Sequence, residues 1–308
     1  MTNLADVFCS DVQVEPLPGT AKTGSTYVLL EWPGPWSRDV LDGNTLGAEL
    51  STKLKAHLAQ YNATLLLIRH TSRARRDIPD HHVYLVFADE AVTEVLHVNG
   101  PEAVLDIDLS GPGKNGAQLR DAPLVLVCTH GKRDRCCAVK GRPLVNALHE
   151  RYPFGPGNDV VWETSHIKGH RFAPTMLLMP WAYSFGRMNI EATDAMLADA
   201  AEGRYFVPGN RGRGTLGPVE QVAELAVAAE VPGARYGQFE VELLPIDANS
   251  APSTTPDTAS ATVTDTASGH AYEVQLEQRP VTGVMDSCGK APKEGLSWVA
   301  AAVTRVAP

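Results

Sequence analysis

Asp121–Gly141 reads DAPLVLVCTHGKRDRCCAVKG. Its first part is a short unbroken apolar run ending in Cys128, and a run of that length bounded by polar residues fits a strand covered on both faces. A polar loop with Cys136 and Cys137 follows, and Gly131 and Gly141 allow it sharp backbone turns. GRPLVNALHERY then reads as a helix with Pro143 in its first turn, ended by YPFGPGN, and DVVWETSH reads as the next strand. Strand, loop, helix and strand make an α/β unit, and parallel neighbours in such a sheet send their following loops out at the same end.

Working outward, TMLLMPW adds a strand, and EATDAMLADAAEG and PVEQVAELAVAAEV add two helices. Upstream, TYVLLEW and NATLLLIRH read as buried strands. Between them, LGAELSTKLKAHLAQY places Leu46, Leu50, Leu54 and Leu58 at helical spacing. HHVYLVFA and AVLDIDL are two more expected strands, and GPGKNG is turn chemistry that marks a boundary. Near the C-terminus, GQFEVELLP and AYEVQLEQRPV alternate apolar and polar residues as half-buried strands do. The expected organisation is an N-terminal α/β domain over residues 1–112, a second α/β domain over 118–232, and a C-terminal β-rich extension over 233–308. A mobile loop is expected at 247–269, where large apolar residues are almost absent.

Composition narrows the function classes. At 308 residues, 44% apolar and 20% charged, the chain has the make-up of a globular protein. No apolar run approaches the roughly 20 residues that cross a bilayer, so no membrane span is expected. A net charge of −9 argues against nucleic acid as a partner. The first residues, MTNLADVFCSDVQVEP, lack the basic-then-apolar pattern of a secretory signal, so a cytoplasmic location is expected. There, five cysteines point to metal or redox chemistry rather than to a disulfide framework.

Cys128 and Cys137 stand at C-x8-C spacing, and SHIKGHRFAP brings His166 and His170 directly after the next strand. If the two loops emerge together, two thiols and two imidazoles converge as a four-ligand metal site. Tetrahedral zinc and a [2Fe-2S] cluster both accept that donor set, and spacing alone leaves them level.

These residues, with LEWPGPW and LLLIRH before them and NRGRG and SCGK after, resemble the sucrase/ferredoxin-like family of thioredoxin-like ferredoxins. The resemblance implies a thioredoxin-like ferredoxin domain at 118–232. It also implies a [2Fe-2S] cluster held by the cysteines of a C-x8-C loop, Cys128 and Cys137, and the histidines of an H-x-G-G-H-x-x-A-x-N segment, His166 and His170. Lys168 replaces the first glycine of that segment and Thr175 its asparagine, while Gly169 and Ala173 agree. His130, Cys136, Lys168, Arg171 and Thr175 are the candidates for orienting or tuning the ligands.

The implied function is an electron carrier or redox sensor rather than an enzyme with its own substrate pocket. Two imidazole ligands leave the oxidised cluster neutral, which favours an intermediate potential. Histidine-ligated Rieske centres lie at roughly −150 to +300 mV, against about −400 mV for plant-type ferredoxins. A ring nitrogen that reaches water would add proton uptake to reduction. Two rival readings stand beside this one: a zinc-stabilised binding module on the same four residues, and a thiol oxidoreductase using Cys128 with Cys136 or Cys137, although C-x-x-C is lacking.

Lys132, Arg133, Arg135, Lys140 and Arg142 form either a solvated face or a dock for an acidic redox partner. A homodimer is compatible with the same reading. The isolated Cys9 and Cys288 read as small buried apolar residues. GRGTLG, Gly212–Gly217, formally fits a dinucleotide fingerprint but reads better as a turn feeding Pro218 into its helix.

Overall fold

The protein is described by a computed structural model over residues 7–74, 76–155, 159–244 and 258–306. The N-terminal strands are β1 (Thr26–Glu31), β2 (Thr64–Arg69), β3 (His81–Phe87), β4 (Val92–Val98) and β5 (Gln118–Leu119), with helix α1 (Ala48–Gln60) between β1 and β2. Next come β6 (Leu124–Cys128), helix α2 (Arg142–Arg151), β7 (Val161–Thr164), β8 (Met176–Met179), β9 (Tyr183–Phe185), helix α3 (Ile190–Ala201), β10 (Asn210–Arg213) and helix α4 (Pro218–Glu230). All ten strands form one mixed sheet in the order β10-β9-β8-β6-β7-β2-β1-β3-β4-β5. The strands before and after the GPGKNG turn therefore share a sheet, joined where β7 pairs antiparallel with β2 through Ile68↔Thr164 and Arg69↔Glu163.

β6 is buried along its whole length, parallel to β7 and antiparallel to β8. Its side chains alternate between two cores, as the period of a strand requires. Val125 and Val127 pack with Leu144, Val145 and Leu148 of α2 and with residues of α3 and α4, whereas Leu124, Leu126 and Cys128 pack with Leu29, Ile68 and Trp162. Each fully buried Val or Leu stabilises the fold by roughly 1.5–3 kcal/mol relative to exposure. The strand that ends at Cys128 is thus among the most firmly held backbone in the molecule.

Four further strands make a separate antiparallel sheet in sequence order: β11 (Phe239–Leu243), β12 (Thr258–Asp265), β13 (Ala271–Val284) and β14 (Lys293–Arg305). Its inner residues Ala261, Val263, Val274 and Leu276 pack on the core that contains α4. The long β13–β14 hairpin ends in a turn holding Met285, Ser287 and Cys288. Within the stretch read as a mobile loop, Thr258–Asp265 is strand β12, whose Thr and Val residues favour the pleat. Residues 247–257 of that stretch lie outside the described residues.

AVLDIDL is not a strand. Pro101–Asp106 is a 3-10 segment that buries Val104, with Pro101 in its first turn where no amide donor is needed. The strand of that region is β4, whose alternation is interrupted by the buried Glu94. GRGTLG contributes Gly212 and Arg213 to β10, and the rest is a turn that places Pro218 at the start of α4. Among the described residues no helix is long and apolar enough to cross a membrane.

Candidate metal centre

The parallel pairing Cys128↔Thr164 brings the loops after β6 and β7 out at the same end of the sheet. Cys137 opens a π-turn, Cys137–Gly141, that runs directly into α2. The approach is close: a Cβ on Gly141 would lie 2.2 Å from the Cys128 carbonyl oxygen. Only glycine lets the turn fold back this tightly on the end of β6.

One donor atom from each of Cys128, Cys137 and His166 lies within 4.8 Å of the others. Both cysteines are 1% exposed. The Cys128 thiol is held well below its ordinary range because Cys137 donates to it, with further hydrogen bonds from His166 and the His130 backbone overcoming the opposing effect of burial. Cys137 is pushed up by the same shared proton and by burial. The shared proton is therefore held on Cys137 rather than on Cys128, and it would leave on binding a cation.

His170 stands beside this trio. Its ring centroid is 5.5 Å from that of His166. Its Nε2 is 2.9 Å from Ser287 Oγ and 3.6 Å from Asp134 Oδ2. Burial holds its pKa below the ordinary imidazole value although Asp134 opposes the shift. Nδ1 of His166 and Nδ1 of His170 are both buried without a hydrogen-bond partner. A buried ring nitrogen without a partner costs about 1–3 kcal/mol, and a metal is one partner that relieves it. Two buried thiols and two imidazole nitrogens with unused lone-pair or proton capacity suit a thiophilic metal centre.

The SHIKGHRF turn is held from below. Ser165 Oγ accepts from the Leu67 amide at 3.0 Å, and the Ser165 amide donates to the Leu67 carbonyl at 2.8 Å. Lys168 and Gly169 are both left-handed, at φ +68° and +79°. A Cβ on Gly169 would meet the buried Arg211 guanidinium at 2.5 Å. Arg211 comes from the NRGRG stretch and, with Arg171 and Arg187, lies over the Phe172 ring. Gly169→Ala is expected to cost at least about 1–2 kcal/mol from backbone strain alone, read as a lowered midpoint in urea. An unchanged midpoint would show that Arg211 yields freely.

The orienting candidates separate by position. His130 is buried, with Nε2 2.7 Å from the Ser37 carbonyl oxygen and its ring edge-on to Trp36. Thr175 is buried, and its carbonyl accepts from the Cys128 amide at 3.0 Å. Arg171 makes a bidentate pair with Glu15, at 2.5 and 2.9 Å. Lys168 is exposed and, with Arg38, Lys55, His130 and Arg133, lines a cavity of about 380 Å³ that also touches His166. Of the remaining basic residues, Lys140 pairs with Asp11 and Arg135 stacks on Phe8, while Lys132 and Arg142 are exposed.

Cys136 does not share the trio. It turns to the other side of the loop and meets Cys9 and Cys288, with Asp134 beside them. Cys9, Cys288, Asp134 and Ser287 are the residues that sequence reasoning missed. The available signal was an odd cysteine count that divides into two and three, and the sequence alone does not say which cysteines meet.

The chain matches the sucrase/ferredoxin-like family model over residues 17–212. No curated protein matches it. Among solved structures, a cysteine-to-serine variant of the thioredoxin-like [2Fe-2S] ferredoxin from Aquifex aeolicus aligns at 20% identity. That alignment covers 26% of this chain and 88% of the ferredoxin, with a TM-score of 0.23.

Proposed function

Because the chain belongs to the sucrase/ferredoxin-like family, we propose that it is an electron-transfer or redox-sensing protein. It carries one [2Fe-2S] cluster on Cys128, Cys137, His166 and His170, within a thioredoxin-like unit at 118–232 that works in the cytoplasm. The observation that carries this reading is the convergence of Cys128, Cys137 and His166 within 4.8 Å, beside a second histidine whose Nδ1 is buried without a partner.

In this reading the buried Cys128 and Cys137 and the half-buried His166 and His170 would hold the cluster. Nδ1 is the free donor on His170, because Nε2 is engaged by Ser287 and faces Asp134. The cluster, when bound, supplies one-electron transfer. The chain's own part is to keep Cys128 ionised, to hold both rings, and to leave a cationic surface next to His166. Arg38, Lys55, Arg133 and Lys168 around the cavity there suit an acidic redox partner, against a chain that is acidic overall. The electron-transfer rate with such a partner should fall steeply as ionic strength rises. A rate indifferent to salt would remove the partner assignment.

A single zinc ion on Cys128, Cys137 and His166 is the second reading, favoured by the way these three crowd together without His170. Absorption and electron paramagnetic resonance spectra of anaerobically purified protein separate the two. Visible absorption that bleaches on reduction and yields a paramagnetic signal supports the cluster. Colourless protein that holds zinc at this site overturns it.

A further inference from the structure

Cys9, Asp134, Cys136 and Cys288 each place one donor atom within 4.8 Å of the others, apart from the trio described above. The Sγ–Sγ separations are 3.5 Å for Cys9–Cys136, 3.1 Å for Cys136–Cys288 and 3.7 Å for Cys9–Cys288. Asp134 Oδ1 is 3.1 Å from Cys288 Sγ and 4.0 Å from Cys9 Sγ. A zinc ion with bonds of about 2.3 Å to sulfur and 2.0–2.2 Å to oxygen spans a tetrahedron with edges of about 3.5–3.8 Å. A disulfide needs sulfurs at about 2.05 Å. The observed separations, from 3.1 to 4.0 Å, bracket the tetrahedron edges and lie well outside a covalent bond.

We propose that Cys9, Cys136, Cys288 and Asp134 form a second metal site, which binds one zinc-class divalent ion. The donors are prepared for it. Cys9 and Cys136 are fully buried and Asp134 nearly so. The Cys9 amide donates to Cys288 Sγ at 3.5 Å and Ser10 Oγ–H to Cys136 Sγ at 3.1 Å, and such bonds orient and stabilise thiolate ligands. Asp134 is fixed by the Cys136 amide at 2.9 Å on Oδ1 and the Cys288 amide at 3.0 Å on Oδ2. Binding expels the remaining thiol protons to solvent, and three thiolates with one carboxylate surround the dication.

The site joins three distant parts of the chain: the N-terminal 3-10 turn, the cysteine loop and the turn of the β13–β14 hairpin. It also adjoins the first centre. Cys136 is bonded to Cys137, Cys288 follows Ser287, and both Ser287 and Asp134 face His170. The ion acts as a staple that sets these two residues against the imidazole. This inference does not depend on iron at the first centre.

The test uses full-length protein, reduced and stripped of metal. With Cys128 and Cys137 both replaced by Ser, added cobalt(II) should still give a thiolate charge-transfer band at about one equivalent. Zinc should displace that band, and adding Cys288→Ser should abolish it. In the wild-type chain, zinc should slow alkylation of Cys9, Cys136 and Cys288 at least tenfold, mapped by mass spectrometry. The wild-type measurement decides alone if the variants misfold. The proposal is overturned if the three thiols react equally fast with and without zinc, if they are recovered as a disulfide under reducing preparation, or if the band survives Cys288→Ser.

Discussion

Cys128→Ser is expected to remove more than about 90% of the bound iron while the chain stays folded. The thiol of Cys128 is the one already driven towards thiolate by Cys137, His166 and the His130 amide, and a serine hydroxyl stays protonated in the same place. It is also the donor fixed most firmly, at the end of a strand buried on both faces. A serine there keeps nearly the same volume, so packing loss is small and circular dichroism should be unchanged. Cys136→Ser should leave the iron in place, since Cys136 turns towards Cys9 and Cys288. Full iron retention in Cys128→Ser, or its loss in Cys136→Ser alone with the fold intact, would reassign the ligands.

The second large effect is on the midpoint potential. If Nδ1 of His170 takes the cluster, Nε2 would carry the proton, and that nitrogen lies 2.9 Å from Ser287 Oγ and 3.6 Å from Asp134 Oδ2, on a side chain 16% exposed. That Nε2 proton would be held less firmly beside an oxidised cluster than beside a reduced one. The reduced form therefore binds more protons than the oxidised form, and the potential must fall as pH rises. The slope approaches about 59 mV per pH unit where one proton accompanies one electron. It flattens below the pKa of the oxidised form and above that of the reduced one. His170→Cys, which keeps a metal ligand but removes the ring, should flatten the curve further. A level potential from neutral to alkaline pH would mean that neither imidazole exchanges its proton with reduction.

The convergence of Cys128, Cys137 and His166 was legible because its parts are local. An apolar run ending in Cys128, a glycine-bounded loop to Cys137, and a second strand followed at once by His166 are patterns that strand sterics and turn chemistry make readable. Parallel pairing of β6 and β7 then follows from the helix between them. What sequence could not show is contact made across the chain. Cys9 and Cys288 are 279 positions apart and each looked like a solitary core cysteine, yet the hairpin turn and the N-terminal turn meet on the far side of the cysteine loop. Asp134 was one charge among several in a polar loop, and only its two amide partners distinguish it. The turn-rich stretch at Gly111–Gly116 reports that the chain reverses and says nothing of which sheet the next strand joins. AVLDIDL alternates like a strand, but the segment it continues starts at Pro101, and burial of Val104 favours a 3-10 turn there.

The most direct test of the first centre is the iron and acid-labile sulfide content of anaerobically purified full-length protein. Two irons and two sulfides per chain are expected, as [2Fe-2S] stoichiometry requires. Protein that carries zinc but neither iron nor sulfide would contradict the account.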